Sequence, residues 1–376
     1  MTPGPRAPGR SLLALLLLAL APLWLSGCWD NVDVRDRAFV LGLGVDLTPE
    51  GRVEVTAQMP RPEPGSVSVG THGSVLALSA AGTDPISALH NLQGRVSRTF
   101  LLGHIKAVVL GEPAAREPVV VEHVVDQVLR HPQVDPGAFV MVANGCRASD
   151  VMNRGSAEGT ASALFAGSAL EKGLLGLNVP QSEVWQFLRA LQTPGWEPVA
   201  IGIRCRPDSL EIADAAVFKR YRMVGWLGPR ETRGMLWLMG EGEGSVVEVP
   251  SPHGLGLVLI NQVTARFRLE PGDPPAARAQ VSVSGQLLHK PERLVTITHR
   301  DLVALNSLLA RRIQLEARLA LEKLQGVFGA DSIGLGRRFY FTSPYFWRGV
   351  NWEREYPRLR VEIVVSAEAG RKGSLR

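Results

Sequence analysis

The chain has 376 residues, of which 45% are hydrophobic and 20% carry a charge. This length and apolar content suit two or three domains with real cores and argue against a disordered chain. The formal net charge is +5, but the basic residues are scattered and form no Lys/Arg block. This distribution argues against a nucleic-acid partner.

The N-terminal residues 1–27 have the composition of a secretory signal peptide. Two arginines precede an apolar run over 12–25 that is shorter than the roughly 20 residues of a bilayer span. Leu25-Ser26-Gly27-Cys28 then has the pattern of a lipobox. It predicts cleavage between Gly27 and Cys28 and a diacylglyceryl group on the Cys28 thiol. The alternative is an ordinary signal peptide followed by a chance cysteine.

The first half of the chain is predicted to mix strands and helices around one or two sheets. Phe39–Val45 and Val53–Ala57 should pair as a hairpin across a Thr-Pro-Glu-Gly turn. A proline-rich break over 60–64 follows, and Asp84 with Pro85 should cap and begin a helix. The other predicted strands are Ser74–Ala80, Ile105–Leu110 and Ala138–Val142, and the predicted helices are Asp84–Ser97, Arg116–Arg130, Glu158–Lys172 and Ser182–Leu191.

The second half is predicted to be richer in strands and to contain the longest helix. A domain boundary is expected near Cys205–Leu210, in a polar turn, and Ile212–Phe218 with Met223–Trp226 should form a hairpin. Pro229 should begin a helix that ends near Gly240. The remaining predictions are strands Val246–Val249, Leu257–Leu269, Ala279–Gln286, Phe339–Phe341 and Leu359–Val365, and a helix Asp301–Val327 with apolar residues at helical spacing.

These elements predict an α+β fold, with several mixed or antiparallel sheets, packed helices and two to three subdomains. The predicted domains are the signal peptide 1–27, an N-terminal domain 28–205 of one or two subdomains, and a C-terminal domain 206–376. No internal repeat is present. Cys146 and Cys205 both follow predicted strands. The sequence is compatible with a disulfide between them and with two buried free thiols.

The sequence offers no constellation of residues for catalysis, a metal or a cofactor. Gly42-Leu43-Gly44 lacks the third glycine of a dinucleotide fingerprint and is interpreted as backbone packing. Gly155–Gly159 is not a nucleophile elbow and should cap the next helix. None of the 8 histidines has metal-ligand spacing, and His104 is interpreted as structural. Glu231 and Arg233 are interpreted as a salt bridge at a helix start rather than an active-site pair.

Two aromatic segments have more than one interpretation. Tyr340–Trp347, followed by Trp352 and Tyr356, could line a binding surface or pack a loop against the long helix. Trp237 could anchor a partner, but it lies within the apolar run Met235–Met239. We therefore expect Trp237 in the core.

Five blocks, in order along the chain, resemble Ger(x)C-family spore germination lipoproteins. They are Cys28–Asp30 with Ala38–Asp46, Arg98–Lys106, Ala215–Lys219 with Val224–Leu227, Glu231–Gly234 with Leu236 and Trp237, and Ala330–Gly336 with Trp352, Glu353, Tyr356 and Pro357. The resemblance implies a non-catalytic C subunit of a nutrient germinant receptor, with diacylglyceryl and palmitate groups on Cys28. It implies attachment to the outer face of the spore inner membrane and two integral-membrane subunits as partners.

A different class of protein is the alternative. A solute-binding lipoprotein that feeds a transporter would have two similar α/β lobes around a cleft. The strand-rich second half of this chain argues against that arrangement.

Overall fold

The predicted α+β class is confirmed by the computed structural model. It describes residues 36–61, 75–154, 161–171, 178–207, 209–251, 254–289 and 298–370. The predictions for the signal peptide, Gly27, Cys28 and the block Gly155–Gly159 lie outside these residues. Within the described part of the chain, no helix is long and apolar enough to span a membrane.

The first large sheet is mixed and has eight strands, in the order β10-β9-β8-β7-β6-β2-β3-β4. Its strands are Gly42–Leu47 (β2), Val53–Pro60 (β3), Val75–Gly82 (β4), Ala107–Gly111 (β6), Phe139–Asn144 (β7), Val199–Cys205 (β8), Leu210–Lys219 (β9) and Arg222–Leu227 (β10). The four central strands β2, β6, β7 and β8 are parallel. Two predicted hairpins, β2–β3 and β9–β10, are antiparallel pairs at its flanks. Arg37–Phe39 (β1) and Thr99–Leu101 (β5) form a separate parallel pair.

Helices cover both faces of this sheet, as the continuous apolar runs of parallel strands require. They are Pro85–Gln93 (α1), Glu112–Arg116 (α2), Pro118–Val124 (α3), Ala148–Asn153 (α4), Ser162–Glu171 (α5) and Val184–Gln192 (α6). The N-cap prediction for α1 is confirmed, since the Ser87 amide donates to Asp84 Oδ1 at 2.9 Å. The valine-rich segment is helical as predicted, and α3 continues as a π-helical turn over Val125–Leu129.

The Gly42-Leu43-Gly44 motif is backbone packing, as predicted. A Cβ atom on Gly42 would lie 2.6 Å from Ala163 Cβ, and one on Gly44 would lie 3.1 Å from the backbone of Ala148. Helices α4 and α5 therefore approach β2 closely only because these two positions lack side chains.

The second large sheet has four strands, in the order β11-β12-β13-β14, with β13 and β14 parallel. Its strands are Val246–Ser251 (β11), Gly254–Glu270 (β12), Ala276–His289 (β13) and Arg360–Gly370 (β14). The predicted long helix is confirmed as His299–Glu322 (α8), which continues as a π-helical turn over Lys323–Phe328. Helix α7, Pro229–Met239, begins at the predicted proline and ends at Gly240 in a left-handed conformation.

One strand prediction is wrong. The segment Phe339–Phe341 belongs to a helix, Leu335–Thr342 (α9), which is followed by two short helices, Pro344–Arg348 (α10) and Trp352–Glu355 (α11). Aromatic residues are common in strands, but buried hydrogen bonds at the start of α9 enforce the helix.

One of the three buried clusters spans both halves of the chain. Val199 and Val217 of the first sheet pack in the same cluster as Trp237 of α7, Val258 of β12 and Ile313 of α8. The β9–β10 hairpin, which follows the predicted boundary near Cys205, is paired with β8 of the first sheet. The division into domains at residue 205 stays a prediction.

Trp237 is a core residue, with no exposed surface. We expect Trp237→Ala to reduce the free energy of unfolding by about 3–5 kcal/mol, because a large buried side chain is lost and a cavity remains. The measurement is thermal and denaturant unfolding followed by circular dichroism. Trp185→Ala is the control, since the Trp185 residue is 44% exposed, and its effect should stay within about 1 kcal/mol. Equal losses in the two variants would contradict the prediction.

Candidate functional site at the junction of the two halves

A buried aspartate organises the loop that joins the two halves of the molecule. Asp331 is 2% exposed. Its Oδ1 accepts the backbone amides of Gly334 at 2.9 Å and Leu335 at 3.0 Å. Its Oδ2 accepts the Gly336 amide at 2.6 Å and the indole N–H of Trp352 at 3.1 Å. One carboxylate thus satisfies the free amides at the start of α9 and fixes an aromatic ring of α11.

The ionisation of Asp331 is balanced between two opposing effects. Complete burial raises the pKa of Asp331 to about 6, and the four N–H donors oppose that shift because they stabilise the carboxylate. Tyr356 lies nearby, and burial, followed by the charge of Asp331, raises the pKa of its phenol well above the ordinary value.

The same loop is bonded to the segment that leads into β8 of the first sheet. The Asp331 carbonyl accepts the Glu197 amide at 3.0 Å, and the Gly195 carbonyl accepts the Arg337 amide at 2.9 Å. The Ser332 carbonyl accepts the indole N–H of Trp196 at 3.2 Å. Gly195 has a φ of +69°, and a Cβ atom there would lie 2.6 Å from the Gly336 backbone. Only a glycine fits this close crossing of the two halves.

Three arginines at this junction stack on aromatic rings instead of forming ion pairs. The guanidinium groups of Arg337 and Arg189 lie 4.6 Å and 5.8 Å from the Trp196 ring centre, and that of Arg338 lies 4.5 Å from the Phe267 ring centre. Within the described ranges, none of the three forms a salt bridge with a carboxylate. Burial lowers the pKa of Arg337 and Arg338, and the neighbouring guanidinium groups lower it further.

Two cavities meet at these arginines. The first, of about 220 Å³, lies between α6 and α9, and Arg189, Trp196, Glu241 and Arg337 are among its lining residues. The second, of about 540 Å³, shares Arg337 and Arg338 with the first and is also lined by Phe267 and Phe341. Cationic and aromatic groups therefore line a continuous depression at the junction.

Two carboxylates in the first cavity are protonated more easily than usual. Burial raises the pKa of Glu197 to about 7, although the Arg220 amide donates a hydrogen bond to it. Burial alone raises the pKa of Glu241 to about 7. At neutral pH each carries only part of a negative charge.

The predicted salt bridge between Glu231 and Arg233 is wrong, because each residue pairs with the long helix instead. Glu231 accepts Lys323 Nζ at 2.8 Å. Arg233 donates through Nε to buried Glu316 at 2.7 Å, and Glu316 also accepts Arg312 Nε at 3.0 Å and the Trp237 indole at 3.1 Å. Residues that lie two apart on a helix face different directions, so they could not pair locally.

The other predicted positions take structural roles or lie at the surface. His104 is exposed, with its ring 5.1 Å from that of Phe39. Cys146 and Cys205 form a disulfide, which resolves the alternative that the sequence left open. No cluster of metal ligands is found among the residues that the structure describes.

The aromatic tail divides between the two interpretations. Phe339, Trp352 and Tyr356 are buried beside the junction loop, whereas Phe341 and Tyr345 are 66% and 88% exposed. The tail therefore packs the core with one set of rings and presents another set at the surface.

The sequence interpretation assigned no role to Trp196 or Arg337, and it named Asp331 only as part of the resembling block Ala330–Gly336. A usable signal was present in Asp331-Ser332-Ile333-Gly334-Leu335-Gly336, where an acid and two glycines surround a turn. An acid at such a position is typical of a helix cap. Two partners of Trp196, Ser332 and Arg337, could not be predicted from the sequence, because they are more than 100 residues away.

Two family models match the chain in order. The spore germination protein N-terminal domain matches residues 30–204, and the spore germination B3/GerAC-like C-terminal domain matches residues 213–373. The chain therefore belongs to the Ger(x)C family of spore germination proteins. The family resemblance seen in the sequence is confirmed, and it assigns the chain to the C-subunit type of spore germination protein.

Individual relatives agree with this assignment over nearly the whole chain. Spore germination protein KC of Bacillus subtilis is 22% identical, over 97% of this chain and 96% of the relative. Spore germination protein GerQC of Bacillus cereus is 19% identical, over 95% of this chain and 98% of the relative. The crystal structure of the GerBC protein has the same fold, with a TM-score of 0.59 and 18% identity over 87% of this chain and 96% of that chain.

We expect Asp331→Ala to destabilise the junction on the order of 3 kcal/mol, because four N–H donors lose their acceptor. Hydrogen exchange should show faster exchange at the amides of Gly334, Leu335 and Gly336, and denaturant unfolding should show the loss of stability. Asp126→Ala is the control, because Asp126 forms only an exposed pair with Arg130. Unchanged exchange at these three amides would contradict the role given to Asp331.

The raised pKa of Glu241 predicts a stability that depends on pH. The folded chain binds this proton more tightly than the unfolded chain, so the contribution is full below about pH 4.5 and is lost as the pH rises through about 7. This effect should lower the free energy of unfolding of the wild type by about 2 kcal/mol between these pH values, and Glu241→Gln should abolish that decrease. Glu243→Gln, at an exposed neighbour, should leave the fall unchanged. Parallel pH profiles for wild type and Glu241→Gln would contradict the prediction.

Proposed function

We propose that the chain is the lipid-anchored C subunit of a nutrient germinant receptor. It is held at the outer face of the spore inner membrane, is non-catalytic, and is needed for receptor assembly and for the response to germinant. The observation that carries this proposal is the ordered match of both family models over 30–204 and 213–373, directly after the lipobox cysteine Cys28. Two integral-membrane subunits are its proposed partners.

Anchoring through Cys28 has a sufficient physical basis. Two acyl chains that enter the bilayer contribute about 0.8 kcal/mol for each CH₂ group, which gives on the order of 20 kcal/mol. Removal of the leader with its two arginines lowers the formal net charge from +5 to +3. This charge is scattered, and stable attachment generally requires two signals. The diacylglyceryl group, and not the protein charge, is therefore the proposed anchor.

A non-catalytic role is supported by the use that the fold makes of its buried carboxylates. Asp331 caps α9 and binds the Trp352 indole, and Glu316 joins Arg233 of α7 to Arg312 of α8. These groups hold the structure together through hydrogen bonds and ion pairs. The transporter alternative predicts two similar α/β lobes, whereas the described residues form an eight-stranded mixed sheet and a dissimilar four-stranded sheet.

We expect Cys28→Ala to abolish lipidation, to detach the chain from the spore inner membrane and to eliminate the nutrient response. Mass spectrometry of the N-terminal peptide, membrane fractionation and germination assays are the measurements. The matched control is Cys146→Ala with Cys205→Ala, which removes the other two cysteines and leaves Cys28 in place. This control should stay acylated and membrane-bound.

Co-purification separates the anchor from the assembly role. Wild-type chain should co-purify with the two membrane subunits from spore membranes. An acylated chain that purifies alone would refute the receptor role. A Cys28→Ala chain that stays on membranes, even when both membrane subunits are deleted, would refute the anchor.

A further inference from the structure

The chain enters the first sheet at one defined edge. Residues Gly42, Ala107 and Phe139 lie side by side where the parallel strands begin, and Met141 pairs with Ile201, so β8 begins in the same row. The backbone bridge from Phe139 to Glu183 places the start of α6 at this edge as well. The segment with Trp196, just before β8, therefore leaves the sheet on the side from which the N-terminus arrives.

The length of the chain limits how far this edge can lie from an anchor at Cys28. Asp36 is the first described residue, and eight residues from Cys28 to Asp36 span at most about 29 Å. Neighbouring strands are about 4.8 Å apart, so the start of β8 lies about 14 Å from that of β2, three strands away. This step rests on the proposed anchoring through Cys28. With that anchor, the edge stays within a few tens of ångströms of the bilayer.

A continuous surface of aromatic and arginine side chains lies at this edge. We call it the aromatic–arginine face and define it as Trp185, Arg189, Arg337, Arg338, Phe341 and Tyr345. Trp185, Arg189 and Arg337 line the first cavity, and Arg337, Arg338 and Phe341 line the second. Tyr345 lies on the short helix α10, which contacts the junction because Trp347 of the same helix packs against Gly195.

The aromatic side chains of this face are more exposed than is usual for a surface that binds no partner. Trp185, Phe341 and Tyr345 are 44%, 66% and 88% exposed. Arg189, Arg337 and Arg338 form no salt bridge with a carboxylate within the described part of the chain, although the charge of the buried Asp331 acts on Arg338. Burial raises the pKa values of Glu197 and Glu241 to about 7, so their carboxylates offset only part of this positive charge at neutral pH.

We propose that the aromatic–arginine face rests on the anionic phospholipid headgroups of the membrane to which the chain is tethered. Aromatic rings with a polar end settle at the headgroup level of a bilayer. Guanidinium groups bind phosphate oxygens through paired hydrogen bonds, and anionic lipids attract each arginine near the surface. The tether brings the chain to the membrane, and the contact of the aromatic–arginine face with lipid sets its orientation. The junction of the two halves is then turned toward the lipid.

The test uses full-length acylated chain in lipid vesicles with one added thiol. Cys28 is acylated under the proposal and Cys146 is bonded to Cys205, so an introduced cysteine is the single reactive thiol. A fluorophore on Tyr345→Cys reports from the face. A fluorophore on Glu50→Cys is the matched probe, because Glu50 is exposed in the turn between β2 and β3, at the opposite end of β2. Lipids with a nitroxide on the headgroup quench whichever probe approaches the surface.

In phosphatidylglycerol vesicles we expect quenching of the Tyr345→Cys probe to be severalfold greater than that of the Glu50→Cys probe. Phosphatidylcholine should weaken the contact. The double variant Arg337→Gln with Arg338→Gln should shift the equilibrium between chains whose face contacts the lipid and chains whose face does not. The fraction in contact, relative to the fraction out of contact, should fall by about fivefold for each arginine. Arg311→Gln with Arg318→Gln removes the same charge from exposed sites on α8 and should change nothing.

The outcomes separate this inference from the proposed function. A chain without acyl groups on Cys28 would refute the anchor itself. Equal quenching at the two probes of an acylated chain would overturn the inference and leave the anchor intact. An equal loss of quenching in the two double Arg→Gln variants would do the same. An unquenched Tyr345→Cys probe that cross-links to a membrane subunit in spore membranes would also overturn it, because the face would then bind protein rather than lipid.

Discussion

The carboxylate of Asp331 is the interaction on which the arrangement of the two halves depends. It is buried, yet it accepts four N–H groups, three from the start of α9 and one from Trp352. Its backbone carbonyl binds the Glu197 amide ahead of β8. Because the loop is fixed on both sides, α9 leaves the junction in one direction and carries Arg337, Arg338 and Phe341 to one surface. Without this acceptor, four N–H donors would be buried without a hydrogen bond, and the conformation of the loop would be destabilised.

A second buried carboxylate fixes the C-terminal half in the same way. Glu316 of α8 binds Arg233 and Trp237 of α7, and a Cβ atom on Gly234 would lie 2.0 Å from the Glu316 carbonyl. A larger residue at position 234 would separate the two helices and break the Arg233–Glu316 ion pair, so that Arg312 of the same helix would be the remaining cationic partner of the buried Glu316. Asp331 thus fixes the start of α9 in the junction loop, and Glu316 fixes α7 against α8. The outer surface of the junction is then free to contact lipid or protein.

Local signals predicted much of this fold, and the errors have a common cause. The cap of α1 at Asp84, the proline that begins α7 and the apolar spacing of α8 are properties of adjacent residues, and each is confirmed. The segment Phe339–Phe341 is predicted as a strand, and its aromatic residues are of a type common in strands. It is helical because Asp331 satisfies the first amides of α9 from a loop outside the segment. In the same way, Arg233 has its counter-ion on α8, 83 residues away, where no local pattern could place it.

By itself the sequence determined the family, the α+β class, the long helix and the absence of a recognisable catalytic motif, because these follow from composition, periodicity and ordered local blocks. It also predicts an anchor at Cys28, and that prediction depends only on the residues around the cysteine. The tertiary structure decided that Cys146 pairs with Cys205, that the hairpin after residue 205 completes the first sheet, and that Trp196 and Arg337 meet. The disulfide joins residues 59 positions apart, and Trp196 and Arg337 are 141 positions apart. The free energies of these contacts depend on burial and on the position of a distant partner, and neither is encoded in any short stretch of the chain.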